Sequence, residues 1–245
     1  MRALLRSEYL KVRTTRTATG LLAGLLVLVG LATFGMERGL GAATVADGVA
    51  PELFITMAAA IVPIFALVLG IRSFTDEFRS GAIVPTLLAT PKRTQVIGAK
   101  LAVAAAAGAV GGLLAAVMAA GLGAALVALD GGSSPVVWGS LAALTAKVAA
   151  IAAVAAVIGL GVGTLVRHQV AAIVGALVWF LVAENLADGL APAVARYLPV
   201  HAMNAIVGGS LGVKVGVGLA GALLVGWAAL AVVGGAAALA RRDVA

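Results

Sequence analysis

Long apolar runs without charge alternate with short polar stretches along the whole chain. Six such runs lie at 17–36, 53–71, 96–129, 137–166, 170–186 and 215–239. A helix of about 17–25 apolar residues crosses the ~30 Å hydrocarbon core of a bilayer, so each run is long enough for one crossing. The pattern predicts an all-α integral membrane protein, with one domain over 1–245 and six transmembrane helices.

Composition strengthens this prediction and removes several kinds of site. The chain is 62% hydrophobic and only 11% charged, whereas a soluble domain is roughly 45–50% apolar and about 25% charged. It contains no Cys, which excludes disulfides, thiolate metal sites and cysteine nucleophiles. The third and fourth runs are longer than one crossing requires, so we expect these helices to tilt or to extend beyond the hydrocarbon.

Lys and Arg are distributed unevenly between the two sides of the membrane. An even number of crossings places both termini on one side, and that side receives thirteen of the seventeen basic residues. Cytoplasmic segments carry this excess in membrane proteins. We therefore expect cytoplasmic N and C termini. The net charge of +7 reflects this bias, and a nucleic-acid partner is not expected.

Motifs of soluble enzymes are missing or misplaced in the sequence. The glycines of GLGVGT, 159–164, lie inside an apolar run and follow no predicted strand, so they do not predict dinucleotide binding. The chain has no GxxxxGK[ST] phosphate loop. His168 and His201 fall at opposite ends of the predicted bundle and cannot share a metal site. We expect no metal, no cofactor and no ATP hydrolysis on this chain itself.

Glycines four residues apart recur in the apolar runs. The pairs are Gly20/Gly24, Gly108/Gly112, Gly159/Gly163 and Gly208/Gly212. This spacing puts two small residues on one helix face, where a second helix can approach closely. We expect all four pairs to be helix-packing positions.

Ionisable residues inside the runs are few, and a charge at the bilayer centre costs at least about 2.5–3.5 kcal/mol. Lys147 either faces a central cavity or, as we favour, extends to the outer interface beside Trp138. Glu184 and Asp188 share one helix face at the outer end of the fifth run. The simpler interpretation is a pair of solvated acids at a helix end. The alternative is an acidic lip on an exit path for a cationic or amphiphilic substrate.

The connection between the second and third runs has a distinctive order. RSFTDEFRSG predicts a short charged helix that ends at Gly81, and AIVPTLLATP is an apolar piece bracketed by Pro85 and Pro91. KRTQVIGAK then restarts a helix, with its basic side chains, Lys100 included, near the headgroups. The apolar side chains of the middle piece are unfavourable in water, so we expect them to dock in a groove of a cytoplasmic partner. The alternative is a turn that lies on the bilayer.

The stretch DEFRSGAIVPTLLATPKRTQVIGAK resembles the first cytoplasmic loop of type-2 ABC transporter permeases, the transmembrane subunits of bacterial exporters. That loop has an acidic residue, a glycine about four residues on, an apolar coupling helix, a proline, a basic residue and a lysine entering the third helix. Glu77, Gly81, Pro91, Arg93 and Lys100 match this pattern in order. The N-terminal LLRSEYLKVRTTR is also similar to the opening of many such permeases, and the six-helix layout agrees over the full length.

The resemblance implies a permease of the bacterial cytoplasmic membrane that is not an enzyme by itself. The implied partners are a separate ABC ATP-binding subunit, which would hold ATP and Mg²⁺, a second permease copy in a homodimer or heterodimer, and membrane lipid. The residues implied to couple the chain to the ATP-binding subunit are Glu77, Phe78, Gly81, Ile83, Val84, Leu87, Leu88, Pro91 and Arg93. A cytoplasmic N-terminal interface helix is implied to use Leu5, Arg6, Tyr9, Val12 and Arg13.

The expected function is ATP-driven export of a hydrophobic or amphiphilic drug, lipid or metabolite. A path lined mostly by Ala, Val, Leu and Gly has few groups to hydrogen-bond a hydrophilic cargo, although Lys147, Glu184 and Asp188 are weak candidates to line it. In this family the segment between the fifth and sixth helices commonly re-enters the membrane from outside, and the resemblance implies that 190–213, with Pro192, Pro199 and a Gly pair, is the corresponding segment here. Two alternatives are a self-contained secondary transporter and a membrane assembly or resistance factor that transports nothing.

Overall fold

A computed structural model of the protein describes residues 2–40, 42–81, 93–166, 168–208 and 215–240, and all regular structure in these ranges is helical. The helices are α1 (Arg2–Thr14), α2 (Arg16–Gly39), α3 (Ala42–Asp47), α4 (Glu52–Ser80), α5 (Arg93–Leu129), α6 (Trp138–Val166), α7 (Gln169–Val178), α8 (Glu184–Leu190), α9 (Pro192–Ala195), α10 (Pro199–Val207) and α11 (Val217–Ala240). A π-helical turn, Trp179–Ala183, joins α7 to α8.

The prediction of an all-α protein with six spans is confirmed. Six helical segments are long and apolar enough to cross a membrane: Arg16–Gly39, Glu52–Ser80, Gln95–Leu129, Trp138–Val166, Gln169–Leu190 and Val217–Leu239. They alternate in direction, which gives the bundle two ends. We call the end of the bundle at which α1 lies the α1 end. The other end, at which α8 ends the fifth span, is the opposite end.

The second span is longer than the apolar run predicts. It continues past residue 71 to Ser80, because Arg72 and Asp76 form an i,i+4 ion pair of 3.0 Å and Ser80 Oγ donates to the Asp76 carbonyl oxygen. Gly81 ends it with a left-handed φ of 71°. The predicted stop at Gly81 is confirmed, whereas the prediction of a separate short helix before it is wrong.

The core of the bundle is the contact between α4 and α6, with α5 packed on both. A Cβ on Gly70 of α4 would overlap the Ala156 carbonyl oxygen, and one on Gly159 of α6 would overlap the Leu67 carbonyl oxygen. A Cβ on Gly163 would lie 2.5 Å from the Ile71 carbonyl oxygen. The helices therefore touch backbone to backbone, as small residues in membrane helices allow.

Two of the four glycine pairs are confirmed as packing positions. Besides Gly159/Gly163, the pair Gly108/Gly112 packs α5 against α6, with Ala152 atoms 2.6–2.8 Å from the two built Cβ positions. The other two pairs behave differently. Gly24 makes only an ordinary contact with Phe65, and within the described ranges no atom lies within 4 Å of a Cβ on Gly20. Gly208 is the left-handed end of α10, with φ 82°, so its assignment to packing is wrong, and Gly212 lies outside the described residues.

The chain after the fifth span turns back along the bundle at the opposite end. The short helices α9 and α10 follow directly, and α10 packs against α11 and also contacts α6 and α4. The Trp227 indole N–H of α11 donates to the Tyr197 carbonyl oxygen at 2.9 Å, which fastens this segment to the last span. The part of 190–213 that is described, up to residue 208, is thus packed against the spans.

Candidate functional site

Four charged side chains from three helices meet at the α1 end, and we call them the ion-pair cluster: Glu8, Lys11, Glu77 and Lys100. The Lys100 ammonium donates to Glu8 Oε2 at 2.8 Å, to Glu77 Oε1 at 2.7 Å and to the Ser73 carbonyl oxygen at 3.1 Å. Its side chain is 0% exposed. An ammonium has three protons to donate, so Lys100 is fully satisfied.

Lys11 closes the cluster from the side nearer the surface. Its ammonium lies 2.6 Å from Glu8 Oε1 and 2.5 Å from Glu77 Oε1, while its side chain is 44% exposed. Two cations and two carboxylates balance, which is what buried charges require. The cluster therefore fastens α1 to the last turn of α4 and to the second turn of α5.

Electrostatics keeps both α1 members of the cluster charged near neutral pH. Burial acts to raise the pKa of Glu8, but the Lys100 charge and the hydrogen bonds from Lys100 and Lys11 outweigh it, so this pKa lies below its usual value. Burial acts to lower the pKa of Lys11, but the hydrogen bonds to Glu77 and Glu8 outweigh it and leave this pKa above its usual value.

Some of the predicted coupling residues lie in the part of the chain that the structure describes, and the others lie outside it. Glu77 is buried in the cluster, Phe78 is partly buried and packs against Phe74 with ring centroids 5.4 Å apart, and Gly81 caps α4. The predicted partner-docking residues Ile83, Val84, Leu87, Leu88 and Pro91 lie outside the described residues, as does the side chain of Arg93 at the start of α5. Their role stays a prediction.

Sequence reasoning missed the cluster as a unit. It placed Lys100 near the headgroups and did not predict that the Lys100 side chain is buried between two carboxylates. One signal was available. Glu8 is the only acid in the basic N-terminal segment and lies three residues from Lys11, so both fall on one helix face.

The N-terminal segment predicted to be an interface helix is helical, as α1, and its interface role stays a prediction. Leu5 and Val12 are half-buried, whereas Arg6, Tyr9 and Arg13 are exposed. Of the α1 side chains that the structure describes, 4–14, the buried one is Glu8, between these positions. The helix is therefore held by charge at its centre and by apolar contacts on either side.

A second group of ionisable side chains lies at the opposite end, and we call Glu184, Asp188 and His201 the outer cluster. Glu184 is 0% exposed and accepts the Val200 backbone N–H at 2.8 Å. His201 Nδ1 lies 3.7 Å from Glu184 Oε2, and His201 Nε2 lies 3.2 Å from Asp188 Oδ1. The interpretation of both acids as solvated is thus wrong for Glu184, while Asp188 is 31% exposed.

Local structure explains how Glu184 reaches this position. The π-helical turn before it adds one residue to the helical turn, and the Glu184 N–H bonds to the Trp179 carbonyl oxygen five residues back. The carboxylate then meets the first turn of α10, which begins at Pro199 and in which the Val200 N–H is one of the free donors of a helix N-terminus. A carboxylate is stabilised there by these donors and by the helix dipole. The Glu184 carboxylate thus links the fifth span to α10.

A cavity of about 360 Å³ lies beside the outer cluster. Its lining includes Thr56 of α4, Phe180 and Asn185 of the fifth span, and Met203 and Asn204 of α10. None of the three residues predicted for a substrate path lines this cavity: Glu184 and Asp188 lie beside it, and Lys147 is half-buried on α6. Among the described residues, no group of three or more His, Asp or Glu side chains could hold a metal ion.

Comparison with known proteins agrees with this architecture. A family model described as ABC-2 family transporter protein matches residues 4–183, which is 180 of the 245 residues. The chain belongs to the ABC-2 transporter family. This ABC-2 protein is accordingly a multi-pass membrane protein with the role of a transport permease, and its family associates in general with an ABC ATP-binding subunit. No curated protein matches the chain.

The matched region separates the two clusters. All four members of the ion-pair cluster lie inside it, whereas Glu184, Asp188 and His201 lie beyond its last residue. The matched range therefore includes the whole ion-pair cluster and ends one residue before Glu184.

Proposed function

We propose that this chain is the permease subunit of an ATP-driven exporter in a bacterial cytoplasmic membrane, and that ATP and Mg²⁺ are held by a separate subunit. The observation that carries the proposal is the position of the ion-pair cluster. It joins α1 to the last turn of α4 and the second turn of α5, the two helices that flank residues 82–92. Those residues include the apolar side chains expected to dock in the ATP-binding subunit.

The cluster supports a direct route for coupling. A subunit bound at 82–92 moves the ends of α4 and α5, and the buried Lys100 makes α1 move with them because it bonds to both carboxylates. The backbone contacts at Gly70 and Gly159 then pass the movement from α4 to α6. Close-packed interiors transmit such shifts because they have little free volume to absorb them.

The cargo we propose is hydrophobic or amphiphilic. The cavity beside the outer cluster supports this, since Phe180 and Met203 offer apolar contact and Asn185 and Asn204 offer a few hydrogen-bonding groups. A cationic amphiphile is the cargo that Glu184 and Asp188 would favour on an exit path, although neither acid lines this cavity. Export, cytoplasmic termini and a dimer of permeases follow from the family resemblance and the distribution of Lys and Arg.

Gentle purification from the native membrane tests the proposal. We expect an ATP-binding chain with ATPase activity to accompany the wild type and to be lost from the Leu87→Asp variant, because an unpaired carboxylate buried in a groove costs several kcal/mol. Leu190→Asp is the matched control, since Leu190 is 80% exposed at the opposite end. It should retain the subunit. Retention by Leu87→Asp would remove Leu87 from the interface, and absence of any ATPase from intact membranes would contradict the proposal.

A self-contained secondary transporter is a second candidate, and one observation favours it. Glu184 is fully buried within the fifth span, and buried carboxylates in spans often belong to proton or ion pathways. Purified alone in liposomes, such a carrier would move cargo along an ion gradient, and Glu184→Gln would abolish this movement. The permease should move nothing under these conditions, and an assembly factor would move nothing even with an ATPase present.

A further inference from the structure

A larger cavity of about 640 Å³ lies at the α1 end, and we call it the α1 groove. Four helices form its walls: α1, α2, α4 and α5. The lining is almost wholly apolar and includes Leu22, Leu25, Phe65, Leu69 and Val103. Arg13 is the one charged residue among the described residues that line it.

The groove is as deep as one leaflet of a bilayer. Along α5 its lining runs from Ala102 to Gly112. Ten residues at a rise of 1.5 Å give about 15 Å, which is half of the ~30 Å hydrocarbon core. On α4 the lining reaches Val62, near the middle of that span. The groove therefore extends from the α1 end to about the centre of the bundle.

Among the described side chains, the unpaired charges near the α1 end of the groove are positive. Arg13 is exposed at the end of α1, and Arg16, also exposed, begins α2. The acids of the ion-pair cluster are already bonded to Lys11 and Lys100. A guanidinium pairs with a phosphate through two parallel hydrogen bonds, and basic residues near the surface attract anionic lipid.

We propose that the α1 groove binds an anionic phospholipid, with one acyl chain between α1, α2, α4 and α5 and the phosphate at Arg13. The apolar walls lie in a membrane-spanning bundle, where acyl chains are the solvent, so an acyl chain fills the groove by packing against these walls. The bound chain touches α1 along Leu5, Tyr9 and Val12. Lipid therefore holds α1 beside the ion-pair cluster, whatever the cargo or the partner subunit is.

Retention of phospholipid by the purified full-length protein tests the proposal. The protein is exchanged into nanodiscs of phosphatidylcholine and phosphatidylglycerol, extracted in detergent, and analysed by native mass spectrometry. Gly111→Phe fills the groove, because a Cβ there meets only Leu22 and Leu25 at 3.8–3.9 Å. Gly121→Phe is its control on the same helix, since Gly121 has nothing within 4 Å of its Cβ among the described residues.

We expect one phosphatidylglycerol per chain in the wild type and in Gly121→Phe, and its loss in Gly111→Phe. Arg13→Gln should weaken phosphatidylglycerol binding about fivefold and leave phosphatidylcholine unchanged, which corresponds to about 1 kcal/mol for one basic residue. Arg79→Gln, at an exposed position of the same end outside the groove, should change neither. If Gly111→Phe unfolds in detergent, Ala106→Leu serves as the second groove-filling variant.

Three results would overturn the proposal. Equal lipid retention by the wild type and by a folded groove-filling variant would place the lipid elsewhere. Loss of a dimer in Gly111→Phe, without loss of lipid, would assign the groove to contact with a second copy of the chain. Equal effects of Arg13→Gln and Arg79→Gln on phosphatidylglycerol would remove the anionic headgroup from the site.

Discussion

Replacing Lys100 by Met removes the central cation of the ion-pair cluster while keeping a side chain of similar length. Glu8 and Glu77, both nearly fully buried, then share only Lys11, and the Ser73 carbonyl oxygen loses the hydrogen bond from Lys100. Removing one partner of a buried ion pair costs about 3–5 kcal/mol, because the remaining charge is left uncompensated. At 1.4 kcal/mol per tenfold change, undocking of α1 should become roughly 100- to 4,000-fold more favourable.

Hydrogen exchange of the α1 backbone in nanodiscs measures this undocking directly. We expect residues 2–14 to exchange at least about 100-fold faster in Lys100→Met, while the core of α4 and α6 is unchanged. Arg79→Met is the matched control, since Arg79 is 71% exposed and reaches Asp76 only at 4.0 Å. An exposed pair of this kind contributes about 0–1 kcal/mol.

A rescue variant separates charge from packing. Adding Glu8→Gln and Glu77→Gln to Lys100→Met removes the uncompensated carboxylates, so α1 should recover much of its protection. Equal α1 exchange in the wild type and in Lys100→Met would refute the argument that the cluster holds α1. Failure of the rescue, with a folded core, would assign the loss to packing around the Lys100 stem.

Three further predictions concern stability and pH. Gly70→Ala should lower the unfolding temperature by at least about 2–4 °C, because overpacking costs about 1–3 kcal/mol, whereas Gly175→Ala should not lower it. Glu184→Ala should destabilise the protein by about 1–3 kcal/mol, since it leaves the Val200 N–H bonded to it without an acceptor. Docking of α1 should be constant between about pH 5 and pH 10. It should weaken below this window as Glu8 is protonated at its lowered pKa, and above it as Lys11 loses its proton at its raised pKa.

Each of these predictions has a control and a contradicting result. Equal unfolding temperatures for the two glycine variants would refute the close contact of α4 with α6. For the outer cluster the control is Asp188→Asn, at a position one-third exposed, and an equal loss in both variants would contradict the special role of Glu184. For the pH prediction, the α1 exchange rate is corrected for the intrinsic pH dependence of amide exchange. A corrected rate that rises near pH 7 would contradict the charge assignment of Glu8 and Lys11.

The sequence predicts the spans well because a bilayer imposes a length on every apolar run. It also predicts where α4 ends, since Gly81 adopts the left-handed conformation that stops a helix. It does not predict that α4 continues to Ser80, because charged residues mark the end of the hydrocarbon but are still good helix formers. The apolar run and the helix therefore end at different residues.

The two clusters were less accessible to sequence reasoning for a different reason. Lys100 and Glu8 are 92 positions apart, and only the packing of α1 on α5 joins them. Glu184 and His201 are brought together by the turn between the fifth span and α10, which no short motif encodes. The predicted coupling residues between 82 and 92 rest on the family resemblance alone and stay predictions.

Transport by the reconstituted protein is the most direct test of the central claim that this chain is driven by a separate ATPase. Proteoliposomes containing the chain, with or without its co-purified ATP-binding subunit, are supplied with ATP or with an ion gradient, and movement of a fluorescent cationic amphiphile is recorded. We predict movement only when both chains and ATP are present, and a strong reduction with Lys100→Met. Movement by the chain alone along an ion gradient would contradict the account.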